Sequence, residues 1–142
     1  MNNVYFDHFF YKSLNNTNDT TKKIYDLKKS KNIALLALKQ NIGRGRTGKK
    51  WISKKGDLTC SFLFNFKTKV SRLGQINLWF INKIFIVLKK LNPDSNLKIK
   101  WPNDLYLDEK KLGGILVETS ILGGKVNYFL FGVGINLVSS PK

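Results

Sequence analysis

The segment Gly43-Arg-Gly-Arg-Thr-Gly48-Lys49-Lys50 sets three glycines among four cations. Glycine lets the backbone approach an anion closely, and arginine offers forked donors that match phosphate or carboxylate. The spacing nearly satisfies the phosphate loop of nucleotide-hydrolysing enzymes. That pattern needs Ser or Thr after its lysine and a helix directly behind it. Here Lys50 is followed by Trp51-Ile-Ser-Lys-Lys-Gly56, which has no helical period. The phosphate-loop reading is rejected; anion binding and a flexible solvated loop both remain open on composition alone. Two other groups carry polar chemistry. Lys100-Trp-Pro-Asn-Asp104 places a cation, an amide and a carboxylate at a strand end. Near the C-terminus, period-two alternation puts Leu130, Gly132, Gly134 and Asn136 on one strand face. The two missing side chains leave a groove that ends in an amide, a group able both to donate and to accept. A glycine pair that packs against backbone, with Asn136 in a turn, is the competing reading.

Other chemistries are excluded by residue type. The chain has one Cys and one His, so neither an internal disulfide nor a Cys/His zinc cluster is available. Cys60 lies in a run where Leu58, Cys60, Phe62, Phe64 and Phe66 share one strand face, which makes it a core filler rather than a catalytic thiol. No basic region followed by an apolar run opens the sequence, so no secretory signal is visible. The most apolar stretch, 73–91, is broken by Gln75, Asn77, Asn82 and Lys83 and reads as a buried helix rather than a membrane span. A soluble, cytoplasmic protein is expected.

These groups must be positioned by an ordered set of elements. Residues 4–11 read as a strand, and Asn15 to Asp19 as a turn capping a helix to about Ser30. A short strand over 33–39 leads into the basic glycine loop, 40–56. A strand over 58–66, the helix 73–91 and a strand over 97–101, ended by Pro102, follow. Residues 105–107 and 112–118 form a hairpin around Asp108-Glu-Lys-Lys111, and Leu122-Gly-Gly-Lys125 turns into a last strand over 126–137. Strands outnumber helices, which predicts an α+β fold: a mixed, largely antiparallel sheet flanked by helices.

With 142 residues, 42% of them hydrophobic, the chain supports one packed domain. Its formal net charge of +16 raises the question of a polyanionic partner. Of the 25 cations, however, 22 are Lys and only Arg44, Arg46 and Arg72 are Arg. Lys, Asn, Ile and Phe are what an AT-rich coding sequence over-supplies, so much of the charge reads as background. Residues 43–55 are the exception, because six cations crowd there between glycines.

Taken together, the motifs identify a family resemblance. Gly43-Arg-Gly-Arg-x-Gly-x-x-Trp51, with Gln40 three residues upstream, resembles the adenylate-binding loop of biotin protein ligases. Lys100-Trp-Pro-Asn-Asp-Leu-Tyr106, followed by Lys111-Leu-Gly-Gly-Ile-Leu-Val-Glu118, resembles that family's KWPND segment and the strand after it; Gly132-Val-Gly-Ile-Asn136 resembles its GxGIN segment. The blocks run in family order and span almost the whole chain. The resemblance implies a biotin/lipoate ligase-like catalytic domain over 1–142, related to class II aminoacyl-tRNA synthetase catalytic domains. Too few residues precede Asn16 for a DNA-binding helix-turn-helix, and the usual C-terminal β-barrel is missing, so a truncated chain of the monofunctional type is expected.

The implied reaction has two steps. Biotin and ATP give biotinyl-5′-AMP and pyrophosphate, and the biotinyl group passes to a lysine of a biotin carboxyl carrier domain. Lys111 and Arg46 are the implied catalytic cations. Biotin contacts are expected from Asn16, Thr17, Asn18, Gln40, Arg44, Gly45, Arg46 and Lys111, with Asn16 standing where the family usually has Ser. Contacts with ATP or the adenylate are expected from Gly43, Arg44, Lys49, Trp51, Lys100, Asn103, Gly132, Gly134 and Asn136. Trp51 covers the ligand or packs inside. Asp104 is the candidate for Mg2+, which usually takes one or two carboxylates plus phosphate oxygens and water. The resemblance also allows a homodimer through sheet edges, and calls for neither DNA nor a membrane. The alternatives are a lipoate- or octanoate-transferring relative and, in a different class, a basic nucleic-acid-binding module.

Overall fold

The computed structural model describes residues 4–28 and 31–138. Ten strands and two α-helices follow one another as β1 (Asp7–Tyr11), α1 (Thr17–Lys28), β2 (Asn32–Ala37), β3 (Gly43–Arg44), β4 (Lys50–Trp51), β5 (Leu58–Phe64), β6 (Thr68–Lys69), α2 (Leu73–Leu91), β7 (Leu97–Lys100), β8 (Asp104–Leu107), β9 (Lys110–Leu122) and β10 (Lys125–Ile135). The main sheet runs β1-β2-β5-β10-β9-β8-β7, with β6 also paired to β10. β1 and β2 are parallel, joined by the α1 crossover, and every other ladder is antiparallel. The mixed α+β expectation holds.

Alternation along the central strands decides what each face buries. Cys60, Phe129, Phe131, Val133 and Ile135 pack with Phe80 and Ile81 of α2, while Leu58, Phe62 and Phe64 sit partly buried against them. On the opposite face Ile24 of α1 packs with Ile33, Leu35, Leu63, Tyr128 and Leu130. Phe66 lies past the end of β5, stacked on Phe129 with ring centroids 5.0 Å apart. α1 starts at a side-chain cap: Asn16 Oδ1 accepts the Asp19 N–H at 3.1 Å, satisfying one of the helix's free donors. Its expected final residues, 29 and 30, lie outside the described residues.

Several local expectations are corrected. Residues 4–6 are not strand, and β1 begins at Asp7. The basic segment is not wholly a loop, because β3 and β4 form a small hairpin in which Gly43 faces Trp51 and Arg44 faces Lys50. A 3-10 turn over Arg46–Gly48 closes it with Thr47 at φ 52° and Gly48 at φ 76°, a reversal that glycine makes without steric penalty. Asp57 anchors the far end of the segment, its carboxylate accepting N–H bonds from Lys54, Leu137 and Val138 at 2.9, 3.1 and 3.2 Å.

The second hairpin turns at Asp108 and Glu109 alone, both at positive φ as a two-residue turn of the primed type requires. Lys110 and Lys111 therefore belong to β9, which runs to Leu122 rather than ending at Glu118. Lys111 is opposite Tyr106 in the ladder, so the sheet rather than a turn fixes its place.

Candidate active site

A cleft of about 740 Å³ opens on the α1 face of the sheet, beside the N-terminus of that helix and against the β3–β4 hairpin. Its floor follows from strand register. One row across the sheet reads Leu35, Ser61, Gly132 and Leu116; the next reads Ala37, Thr59, Gly134, Gly114 and Asp104. The glycines hollow this face where side chains from the helix and the hairpin come close. A Cβ at Gly132 would stand 2.6 Å from Asn18 Oδ1, and one at Gly134 would stand 2.5 Å from Cζ2 and Nε1 of Trp51. Real Cβ atoms essentially never approach other atoms so closely, so the absent side chains are a requirement of the site.

One end of the cleft is neutral and polar. Thr17 donates to Gln40 Oε1 through both its backbone N–H (2.8 Å) and its hydroxyl (3.1 Å). Gln40 in turn is tied down through its backbone, its N–H donating to Ser53 Oγ and its carbonyl accepting from the same hydroxyl, both at 3.0 Å. Asn16 donates to the Ile42 carbonyl at 3.0 Å, which links the helix cap to the bend leading into the hairpin. Asn18 accepts from Ser61 Oγ at 2.6 Å and donates to Glu118 Oε2 at 2.9 Å.

The remaining polar lining is cationic, with Arg44 beside Asn18, since the two share Glu118. Arg44, Arg46, Lys49, Lys50, Lys110 and Lys111 line the cleft, and among the described residues Asp104 is the one carboxylate that does. Lys111 Nζ lies 2.9 Å from Asp104 Oδ1 and 5.9 Å from the Trp51 ring centroid, within reach of the ring's negative face. Arg46 donates to Asn103 Oδ1 at 2.8 Å, and Asn103 Nδ2 donates to the Ile115 carbonyl at 2.8 Å. Arg44 is clamped by both oxygens of Asp19, at 2.5 and 2.7 Å, and by Glu118 at 3.2 Å. These partners hold the guanidinium charged, and the Arg44 hydrogen bond keeps the Asp19 carboxyl below its ordinary pKa.

Fifteen of the expected site residues line this cleft: Asn16, Thr17, Asn18, Gln40, Arg44, Gly45, Arg46, Lys49, Trp51, Asn103, Asp104, Lys111, Gly132, Gly134 and Asn136. Gly43 and Lys100 do not. Gly43 is buried where a Cβ would crowd Gln40 and Trp51, so it serves hairpin packing. Lys100 is exposed, its ammonium 4.9 Å from the Tyr106 ring centroid. Sequence reasoning missed the carboxylates Asp19 and Glu118, which orient Arg44 and Asn18, and also missed Thr59. Only the strand register that sets Thr59 beside Gly134 marks it.

Asp104 fits a Mg2+ that arrives with phosphates and is held through one protein carboxylate, phosphate oxygens and water. It does not fit a cage built from protein ligands alone: no group of three or more His, Cys, Asp or Glu able to hold a metal exists among the described residues.

Residues 10–136 match the biotin/lipoate A/B protein ligase family, and the chain belongs to it. It is 39% identical over 106 residues to the bifunctional ligase/repressor BirA of Escherichia coli, an alignment covering 73% of this chain and 32% of BirA. Among solved structures it resembles the biotin protein ligase of Aquifex aeolicus in complex with biotin and ATP, with a TM-score of 0.74, 31% identity, and 97% and 56% of the two chains covered. It also resembles the biotin acetyl coenzyme A carboxylase synthetase of Helicobacter pylori with bound biotinylated ATP, with a TM-score of 0.72, 32% identity, and 93% and 62% covered. The chain spans less than half the length of the curated relatives it matches, 32% of BirA and 45% of the Paracoccus denitrificans biotin–[acetyl-CoA-carboxylase] ligase.

Proposed function

We propose that the chain activates biotin with ATP to biotinyl-5′-AMP and transfers the biotinyl group to a lysine of a biotin carboxyl carrier domain. The observation that carries this reading is the two-ended cleft. A neutral amide and hydroxyl end suits an uncharged ureido head, and a cationic end at Lys111, Arg46 and Lys49 suits a carboxylate meeting a phosphate. Family membership and the biotin and ATP complexes of its structural neighbours support it.

The first step brings two anions together. At about 4 Å and an effective dielectric near 20 they repel by roughly 4 kcal/mol. Lys111 answers that repulsion by turning its ammonium from Asp104 to the reacting oxygens. A biotin carboxylate oxygen then bonds to the α-phosphorus, and the bond to pyrophosphate breaks. Arg46, held by Asn103, supplies a second positive charge beside the cleft. Mg2+ supplies charge neutralisation on the phosphates when bound, and Asp104 is the residue to hold it. Asn136 meets the adenine or ribose. The hairpin carrying Trp51 shields the mixed anhydride from water. In the second step the carrier lysine's amine attacks the acyl carbon and AMP departs.

A cytoplasmic site of action is part of the proposal; no helix among the described residues is long and apolar enough to cross a membrane. Incubation with ATP, Mg2+ and labelled biotin or labelled lipoate tests the reading. Pyrophosphate release and an adenylate are expected with biotin; an adenylate from lipoate and none from biotin would replace it by the lipoate alternative.

A further inference from the structure

The neutral end of the cleft holds an unanswered polar group. Thr59 is 2% exposed and lines the cleft, yet its hydroxyl has no hydrogen-bond partner. Burying a hydroxyl unpaired costs stability, and in the floor of a cleft a bound molecule can answer it. Asn136 Oδ1 is the other unpartnered polar atom in the lining, on the segment just past β10; the side chains at the start of α1 do not share this condition. Asn16, Thr17 and Asn18 all spend their polar atoms on bonds within the protein.

An orphaned hydroxyl alone does not mark a site. Thr21 is fully buried and equally unpartnered, but it lies within α1 and does not line the cleft. Thr59 differs by its place in the floor. Its register neighbours are Ala37 and Gly134, both without a polar side chain. Gly134 and Gly114 separate it from Asp104, and so from the Lys111 ion pair, along the same row. It stands in β5, two residues before Ser61, which bonds Asn18. The hydroxyl therefore belongs to the neutral end.

We infer that Thr59 is a specificity-determining residue whose hydroxyl hydrogen-bonds the uncharged polar head of the acid substrate, the ureido group of biotin on the reading proposed above. A hydroxyl can donate to the ureido carbonyl or accept from a ureido N–H. A site that holds a polar substrate by an otherwise unpaired buried group also rejects an apolar analogue, because the group then stays orphaned. Thr59 would thus help to separate a ureido ring from an apolar or dithiolane-bearing acid.

The test exploits effects of opposite sign. Thr59→Val keeps the shape and removes the hydroxyl. Its thermal midpoint should equal or exceed that of the native chain, while its biotin affinity by calorimetry should fall about tenfold. Thr59→Ser should retain affinity within about threefold. Thr21→Val is the control, with biotin affinity within about twofold of native. ATP affinity should also stay within about twofold in Thr59→Val. Unchanged biotin affinity in Thr59→Val would overturn the inference and leave the proposed function standing. A selective loss of ATP affinity would overturn it too, by giving the hydroxyl to the nucleotide. Failure of the native chain to bind biotin at all would sink the parent reading, and this assignment with it.

Discussion

Replacing Lys111 by Ala separates catalysis from stability more cleanly than any other change in the cleft. In the native chain its ammonium lies 2.9 Å from Asp104, with the two side chains 43% and 27% exposed. An ion pair so open to water contributes only about 0–1 kcal/mol to stability, so the thermal midpoint should move by a few degrees at most. The kinetic effect is much larger. The carboxylate and phosphate that meet in adenylate formation repel by roughly 4 kcal/mol, and without Lys111 no ammonium is left beside Asp104 to turn toward them. A loss of about 3–4 kcal/mol of transition-state stabilisation corresponds to a fall of roughly 10²–10³ in rate. Lys111→Arg keeps the charge but not the compact geometry and should recover part of the loss. The assay is biotin-dependent pyrophosphate release with ATP and Mg2+ saturating, beside a melting curve for each variant. A Lys111→Ala rate within fivefold of native, from a folded protein, would refute the electrostatic reasoning, as would a large drop in thermal midpoint.

Three further outcomes follow from single contacts. Gly134→Ala places a methyl about 2.5 Å from the Trp51 indole, so the ring must leave the cleft floor; tryptophan emission should shift and stability fall by about 1–3 kcal/mol, whereas an unchanged spectrum would deny the contact. Asp19→Asn should lower the denaturation midpoint at pH 7 by an amount worth about 0.5–1 kcal/mol after screening. Because Arg44 depresses the folded-state pKa of Asp19, that difference should be present above the ordinary value of 3.8 and vanish as pH falls through the lower folded value; a difference that persisted in acid would contradict the linkage. Burial pushes the Cys60 thiol up to about 12, so thiol reagents at pH 8 should label the chain only on unfolding; rapid labelling of the native state would remove Cys60 from the core.

The sheet was legible wherever a face carried a period. Leu58, Cys60, Phe62 and Phe64 share the α2 face as their alternation predicts, and the Gly132/Gly134 pair lies on the cleft face for the same reason. Pairings set by tertiary contact were less visible. Residues 40–56 look like a loop because glycine and lysine carry no strand period; the short β3–β4 ladder depends on Trp51 packing over Gly134. Lys111 looked like a turn residue because two-residue turns with positive φ at Asp108 and Glu109 have weak signatures outside Asn-Gly and Asp-Gly. Motif spacing placed Lys100 beside Asp104, and they are indeed ladder partners, but its ammonium sits against Tyr106 instead of lining the cleft. Asp19 and Glu118 stayed hidden because each acts through a neighbour distant in sequence, as with Asn18 and Glu118, whose hydrogen bond spans 100 positions; Thr59 stayed hidden because only its register with Gly134 sets it in the cleft floor.

Titration of the chain with biotinyl-5′-AMP by calorimetry tests the central claim most directly, since on the proposed reading that ligand fills both ends of the cleft at once. Saturable binding with one site per chain, weakened by Lys111→Ala at the cationic end and by Thr59→Val at the neutral end, is the predicted result. No binding to a chain whose melting curve shows an intact fold would contradict the account.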